Sequence, residues 1–214
     1  MRAGCRHTAV LRMSTTLPST DRLPAAPARY DNVAIAFHWL LALMIVGSFC
    51  VGLYMAGLPF SMQRVKLFNY HKWAGMTILA LTVLRLVWRL SHAAPPEIPG
   101  PRWQQRAAKA THAATYALVF AIALVGWAYS SAAGMQVVVY GVLPMPNLLP
   151  ADPALADLIK PWHGRLAFVL AALVLLHVAA ALKHQFIDRD GLLARMRPGR
   201  RRLPSSISHR KEIP

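Results

Sequence analysis

The chain has 214 residues, of which 56% are hydrophobic and only 15% charged, where a soluble domain of this size carries about a quarter charged residues. The length suits one domain, and the hydrophobicity assigns it to a membrane rather than to an unusually large soluble core. A formal net charge of +16 raises nucleic acid as a partner, but most lysines and arginines fall in segments flanking long apolar runs, which points to membrane lipid and against nucleic acid.

Residues 1–29 form a Pro/Ala/Arg-rich stretch without the compact apolar run of a signal peptide. It reads as a disordered tail, with Met13 as an alternative start. The two cysteines, Cys5 and Cys50, cannot build a disulfide framework or a CxxC metal knuckle. No CxxCH occurs, so covalent c-type haem attachment is excluded. Cys50 reads as a small core residue.

Crossing the hydrocarbon core takes about 20 apolar residues. Four segments qualify: residues 34–56, 70–90, 111–132 and 162–183. No charged residue occurs between Asp31 and Arg64. The second span carries Lys72 in its first turn and Arg85 and Arg89 in its last turns. Prolines at 95, 96, 99 and 101, and again at 144, 146, 150 and 153, mark the connections. Trp39, Trp73, Trp88, Trp103 and Trp162 lie near span ends, where aromatic belts form. With both termini on one side, that side holds 19 of the 24 Lys and Arg residues and the other holds 5. The positive-inside rule then gives an all-α, four-helix up-down bundle, N-in and C-in, with both termini and the middle loop in the cytoplasm. The basic C-terminal run RPGRRR (197–202) reads as a lipid-facing topology anchor.

Six histidines lie at or inside the spans: His38, His71, His112, His163, His177 and His184. Ionisable side chains at membrane depth are costly and mark function by default. His163 and His177 are 14 residues apart, about 40° around the helix axis and about 21 Å along it. The fourth span therefore offers two imidazoles on one face near opposite membrane surfaces, with Leu170 in the slot between them. At the periplasmic level His71 can pair with His163. At the cytoplasmic level His177 can pair with His38 or with His112. Two levels of facing histidines in a four-helix bundle suit two haems, each iron held by two imidazoles. Zinc fits poorly, since no Asp, Glu or Cys joins the histidines, and a proton relay lacks carboxylates. Gly75, Gly164 and the alanines at 171, 172, 179, 180 and 181 would let a flat macrocycle approach the backbone. Arg85 lies 14 residues after His71 and faces the same way at the cytoplasmic level, where it could meet haem propionates or an anion at a quinone site. Arg165, aided by Lys160, could make the periplasmic mouth positive.

The stretches RYDNVAIAFHWLLAL (29–43), HKWAGMTILALTVLRLVWRL (71–90), THAATYALVFAIALVGW (111–127), GMQVVVYGVLPMP (134–146) and PWHGRLAFVLAALVLLHVAAALKH (161–184) resemble the bacterial di-haem cytochrome b-561 family, whose characterised members include a membrane superoxide oxidase. The resemblance covers about residues 29–197. It implies two haem b groups per chain, with His38 and His177 as axial ligands on the cytoplasmic side and His71 and His163 on the periplasmic side. It also implies a quinone-contacting histidine at His184. The implied organisation is a tail (1–29), a transmembrane di-haem domain (30–187) and a basic tail (188–214).

The resemblance therefore implies a bacterial inner-membrane cytochrome that carries electrons from a periplasmic donor, superoxide in its sharpest form, to ubiquinone. Outer-sphere transfer to a haem edge needs no acid–base side chain, so no catalytic residue is expected. The alternatives are an electron-transfer anchor for a separate dehydrogenase or hydrogenase, with that redox protein as partner, and, more remotely, a haem-free transporter or channel.

Overall fold

A computed structural model describes residues 29–97 and 100–199. The tail expected at the N-terminus, His7, Met13, His209 and residues 200–202 of the basic C-terminal run lie outside the described residues. Four long helices follow one another: α1 (Asn32–Ala56), α2 (Met62–Ser91), α3 (Arg102–Ala132) and α4 (Pro153–Lys183). Each is long and apolar enough to cross a membrane. The last three begin eight or nine residues earlier than the apolar runs alone predict. Hydropathy stops at the first charges, such as Arg64, Lys66 and Lys109, whereas the helical hydrogen bonding continues through them, to a side-chain cap in α2 and α4 and to Pro101 without one in α3. Asp31 Oδ1 accepts from the Ala34 amide at 2.8 Å, Ser61 Oγ from Arg64 at 3.3 Å, and Asp152 Oδ1 from Ala154 and Leu155. Each cap satisfies amides that have no partner inside the helix. Pro153, which the proline pattern assigns to a loop, occupies the first turn of α4, where its missing N–H costs nothing.

The helices run up and down, with α1 packed on α2, α2 on α3 and α3 on α4. Both described chain ends and the α2–α3 connection therefore lie at one end of the bundle, the terminal end. The other two connections lie at the opposite, loop end. One residue from each helix meets at mid-height: Leu41, Ile78, Val119 and Leu170 form the buried core cluster. Leu170 thus fills the slot between His163 and His177. Large apolar side chains such as Leu43, Val87 and Leu175 point outwards, the arrangement expected where lipid replaces water. Cys50 corrects its expected place: it is exposed on the outer surface of α1, a face that a continuous apolar run does not reveal.

At the loop end, residues 137–146 fold into a small hairpin of β1 (Val138–Val139) and β2 (Leu143–Pro144). Its turn places Tyr140 and Gly141 at φ values of 50° and 73°, the left-handed pair that suits a tight hairpin. Trp73 Nε1 donates to Val138 O at 2.7 Å and Thr77 Oγ1 lies 2.6 Å from the Tyr140 hydroxyl, so the hairpin is pinned over α2. At the terminal end α4 widens into a π-helical turn, His184–Asp188, and residues 189–199 run back across the bundle. Trp39 Nε1 donates to Met196 O at 2.8 Å. Arg29 donates to the carbonyls of Arg197 and Gly199, and the buried Arg195 reaches Pro96 O. Trp39 and Trp73 are thus tied to loop carbonyls as well as lying near the membrane boundary.

Candidate cofactor site

Histidines collect at both ends of the bundle interior. At the loop end His71 from α2 faces His163 from α4, with ring centroids 5.9 Å apart and planes at 85°. Nδ1 of His163 lies 3.0 Å from Ile122 O, and Nδ1 of His71 lies 3.2 Å from Ser48 Oγ. A side chain at Gly126 would place its Cβ 2.8 Å from Cε1 of His163, and one at Gly52 would come within 3.3 Å of Cε1 of His71. An apolar cavity of about 360 Å³ opens beside this pair, lined among others by both histidines, Gly75, Gly126, Ile122 and Ala171. That volume falls in the ordinary range for bound small molecules and cofactors.

At the terminal end His38 from α1, His112 from α3 and His177 from α4 come together. His38 and His177 have centroids 6.3 Å apart, and His112 and His177 have centroids 5.7 Å apart. Arg85 from α2 donates from Nη2 to His38 Nδ1 at 3.2 Å, and its guanidinium lies 5.6 Å from the centre of the Tyr116 ring, whose hydroxyl is buried. No carboxylate pairs with Arg85 among the described residues.

These spacings suit a metal held between two imidazoles. Two metal–nitrogen bonds of about 2 Å and two ring radii of about 1.1 Å put the centroids of such a pair about 6 Å apart. At the loop end a tetrahedral zinc would need two further donors, and the cluster of three His, Cys, Asp or Glu donors found among the described residues, His184 with Asp188 and Asp190, includes none of these histidines. Such a pair could hold a metal whose remaining ligands come from a bound group.

The family model described as prokaryotic cytochrome b561 matches residues 29–199. The chain belongs to the prokaryotic cytochrome b561 family. Cytochrome b561 homolog 2 of Escherichia coli K12 is 37% identical over 172 residues, covering 79% of this chain and 92% of that protein. A probable superoxide oxidase of Yersinia pestis, CybB, is 29% identical over 175 residues, covering 81% and 98%. Cytochrome b561 homolog 1 of E. coli K12 is 28% identical over 175 residues, covering 81% and 99%. As a cytochrome b561 the chain is a multi-pass membrane electron carrier with b-type haem. Facing imidazoles, a largely apolar cavity and glycines where a Cβ would strike a ring all fit that cofactor.

The other residues singled out from sequence are more dispersed. Arg165 lies with its guanidinium 5.1 Å from the Trp162 ring. It is exposed, as is Lys160. His184 stands on the π-helical turn, with Nδ1 2.6 Å from Asp190 Oδ2 and 3.2 Å from Asp188 Oδ2. Of the small residues expected to let a macrocycle approach, Gly75 and Ala171 line the cavity. Gly164 has nothing within 4 Å of a would-be Cβ, and Gly164 and the alanines at 172 and 179–181 do not line that cavity. Ser48, Gly52, Ile122 and Gly126 are the contacts that sequence reasoning missed. Gly52 and Gly126 had a signal: each lies 14 residues after a histidine, His38 on α1 and His112 on α3, with Ile45 and Val119 midway, so each continues that histidine's inward series.

Proposed function

We propose that this cytochrome b561 binds two haem b groups, one between His71 and His163 and one between His38 and His177, and carries electrons from the loop end to the terminal end. The observation that supports this best is the pair of facing imidazoles at each of two levels, set 14 residues apart on α4. Haem b supplies reversible one-electron chemistry at each level, and the chain's own groups hold and tune it. Arg85, with the buried Tyr116 hydroxyl beside it, would receive propionate carboxylates at the terminal end. The surplus of Lys and Arg at the terminal end supports an inner-membrane orientation with both termini in the cytoplasm. Reporter fusions at residue 199 and within the 140–142 turn should report cytoplasm and periplasm respectively, and the reverse pattern would overturn the orientation.

The substrates follow from resemblance to the superoxide oxidases and from charge. Each of two superoxide anions loses one electron and leaves as O2. One ubiquinone takes both electrons with two protons from the cytoplasmic side and leaves as ubiquinol. Arg64, Lys66, Lys160 and Arg165 surround the periplasmic end with positive charge, which raises the local concentration of a small anion. His184 stands at the cytoplasmic end, where it would contact the quinone. The test is stopped-flow superoxide decay with purified protein and ubiquinone. Decay should exceed the spontaneous rate by at least tenfold and slow as ionic strength rises. Decay at the spontaneous rate would remove superoxide as donor, and co-purification of a redox subunit would then point to an anchor role.

A further inference from the structure

We infer that two acceptor–glycine notches, Ser48 with Gly52 on α1 and Ile122 with Gly126 on α3, position the loop-end imidazoles and hold both in the Nδ1–H form, leaving each Nε2 bare for the iron. The inference rests on the two-haem reading and adds the residues that aim the ligands and set the electron affinity of that site.

The device is the same on both helices. An acceptor occupies one position and a glycine follows four residues later, one turn further along the same face. Helix α1 serves the histidine of α2, and α3 serves the histidine of α4, matching the way the helices pack. On α3 the acceptor is the backbone carbonyl of Ile122, which in a helix already bonds the Gly126 amide. An imidazole can share that carbonyl only if no side chain covers it. A Cβ at 126 would stand 2.8 Å from Cε1 and 2.9 Å from Nδ1 of His163, so any residue but glycine pushes the ring away from its acceptor. A carbonyl cannot donate, so His163 carries its proton on Nδ1 and presents a lone pair on Nε2. The Ser48 hydroxyl lies 3.2 Å from Nδ1 of His71 and takes the accepting role in this inference, although unlike a carbonyl it can also donate; the added Cβ at Gly52 would be 3.3 Å from that ring.

The terminal end lacks this arrangement. Its His38 faces Arg85, which can only donate. Donation from Nδ1–H to an acceptor increases the electron density that an imidazole gives a metal, and His38 has no such acceptor in Arg85. The loop-end site should therefore hold an electron less tightly than the terminal-end site, the order needed for flow from the superoxide side to the quinone side.

The test uses the full-length protein and three readouts: haem per chain, the midpoint potentials from an optical redox titration, and the low-spin EPR signals. His163→Ala first identifies the loop-end component as the one that disappears. Ser48→Ala should keep two haems and move that component alone to a more positive potential. Gly52→Ala should shift the EPR signal of the same component mildly, and Gly126→Ala should shift it strongly or abolish it. If Gly126→Ala fails to accumulate, the Ser48 and Gly52 variants decide. Wild-type potentials and EPR signals in all variants that fold would overturn the notches while leaving the two-haem reading intact. So would a change confined to the terminal-end component. Absence of haem from the wild-type protein would overturn the two-haem reading and the notches with it.

Discussion

Alanine at position 163 is expected to lower the haem content from two per chain to one, with the surviving haem showing wild-type optical and EPR properties. The chain has no CxxCH, so each proposed haem would be held only by its axial bonds, its propionate contacts and apolar packing. At the loop end the proposed axial pair is His71 and His163, whose rings face each other, and the lining of the cavity is otherwise almost entirely apolar. Removing either imidazole would leave one bond to the iron. Changing residues that merely orient a metal ligand costs roughly 10- to 100-fold in affinity, and losing the ligand itself should cost more. The terminal-end site lies about 21 Å along α4, beyond the mid-height cluster of Leu41, Ile78, Val119 and Leu170, so additivity should hold between the two sites. His71→Ala should behave alike. The measurement is a pyridine haemochrome assay against protein mass, with a reduced-minus-oxidised spectrum resolving the two components. Equal loss of both would sink the two-level assignment.

The periodic features of this fold are legible in the sequence itself. Four apolar runs specify four spans, because a helix in lipid must satisfy its own backbone and leaves a hydropathy signal as long as the membrane is thick. The 14-residue steps from His163 to His177 and from His71 to Arg85 place groups on one face at two heights, and Arg85 does reach the terminal-end histidines. What escapes a sequence reading are properties of pairs of helices. Gly52 and Gly126 matter because of where α1 meets α2 and α3 meets α4, and a single sequence carries no information on that offset. Gly164, adjacent to a histidine in sequence, faces open space, because neighbours along a helix point in directions about 100° apart. The outward placement of Cys50 and the return of residues 189–199 through Arg29, Trp39 and Pro96 have the same origin. Each depends on a face or a long-range contact that composition does not encode.

Residue spacing does not choose between His38 and His112, and the proposal of His38 leans on helix packing. Both rings lie close to His177, at 6.3 Å and 5.7 Å between centroids, so distance alone decides little. The backbones do more. Helix α3 packs along α4, whereas α1 and α4 make no comparable backbone contact and meet through side chains such as Phe49 and Phe168. A flat macrocycle between two axial ligands needs a gap between the helices that carry them. The α1–α4 seam offers that gap, and the α3–α4 seam does not. Arg85 must then release His38, since a guanidinium can only donate to Nδ1 and would leave the neutral ring's proton on Nε2. A propionate carboxylate would draw Arg85 off, because it offers the guanidinium an opposite charge and a bidentate partner in place of a single bond to a neutral ring. Replacing His38 with alanine should therefore take haem from two per chain to one and remove the terminal-end component. His112→Ala should retain two haems, and Arg85→Gln should weaken binding at that end alone. Retention of both haems in the His38 variant together with loss of one in the His112 variant would move the ligand to α3, and would require α3 and α4 to part when the cofactor binds.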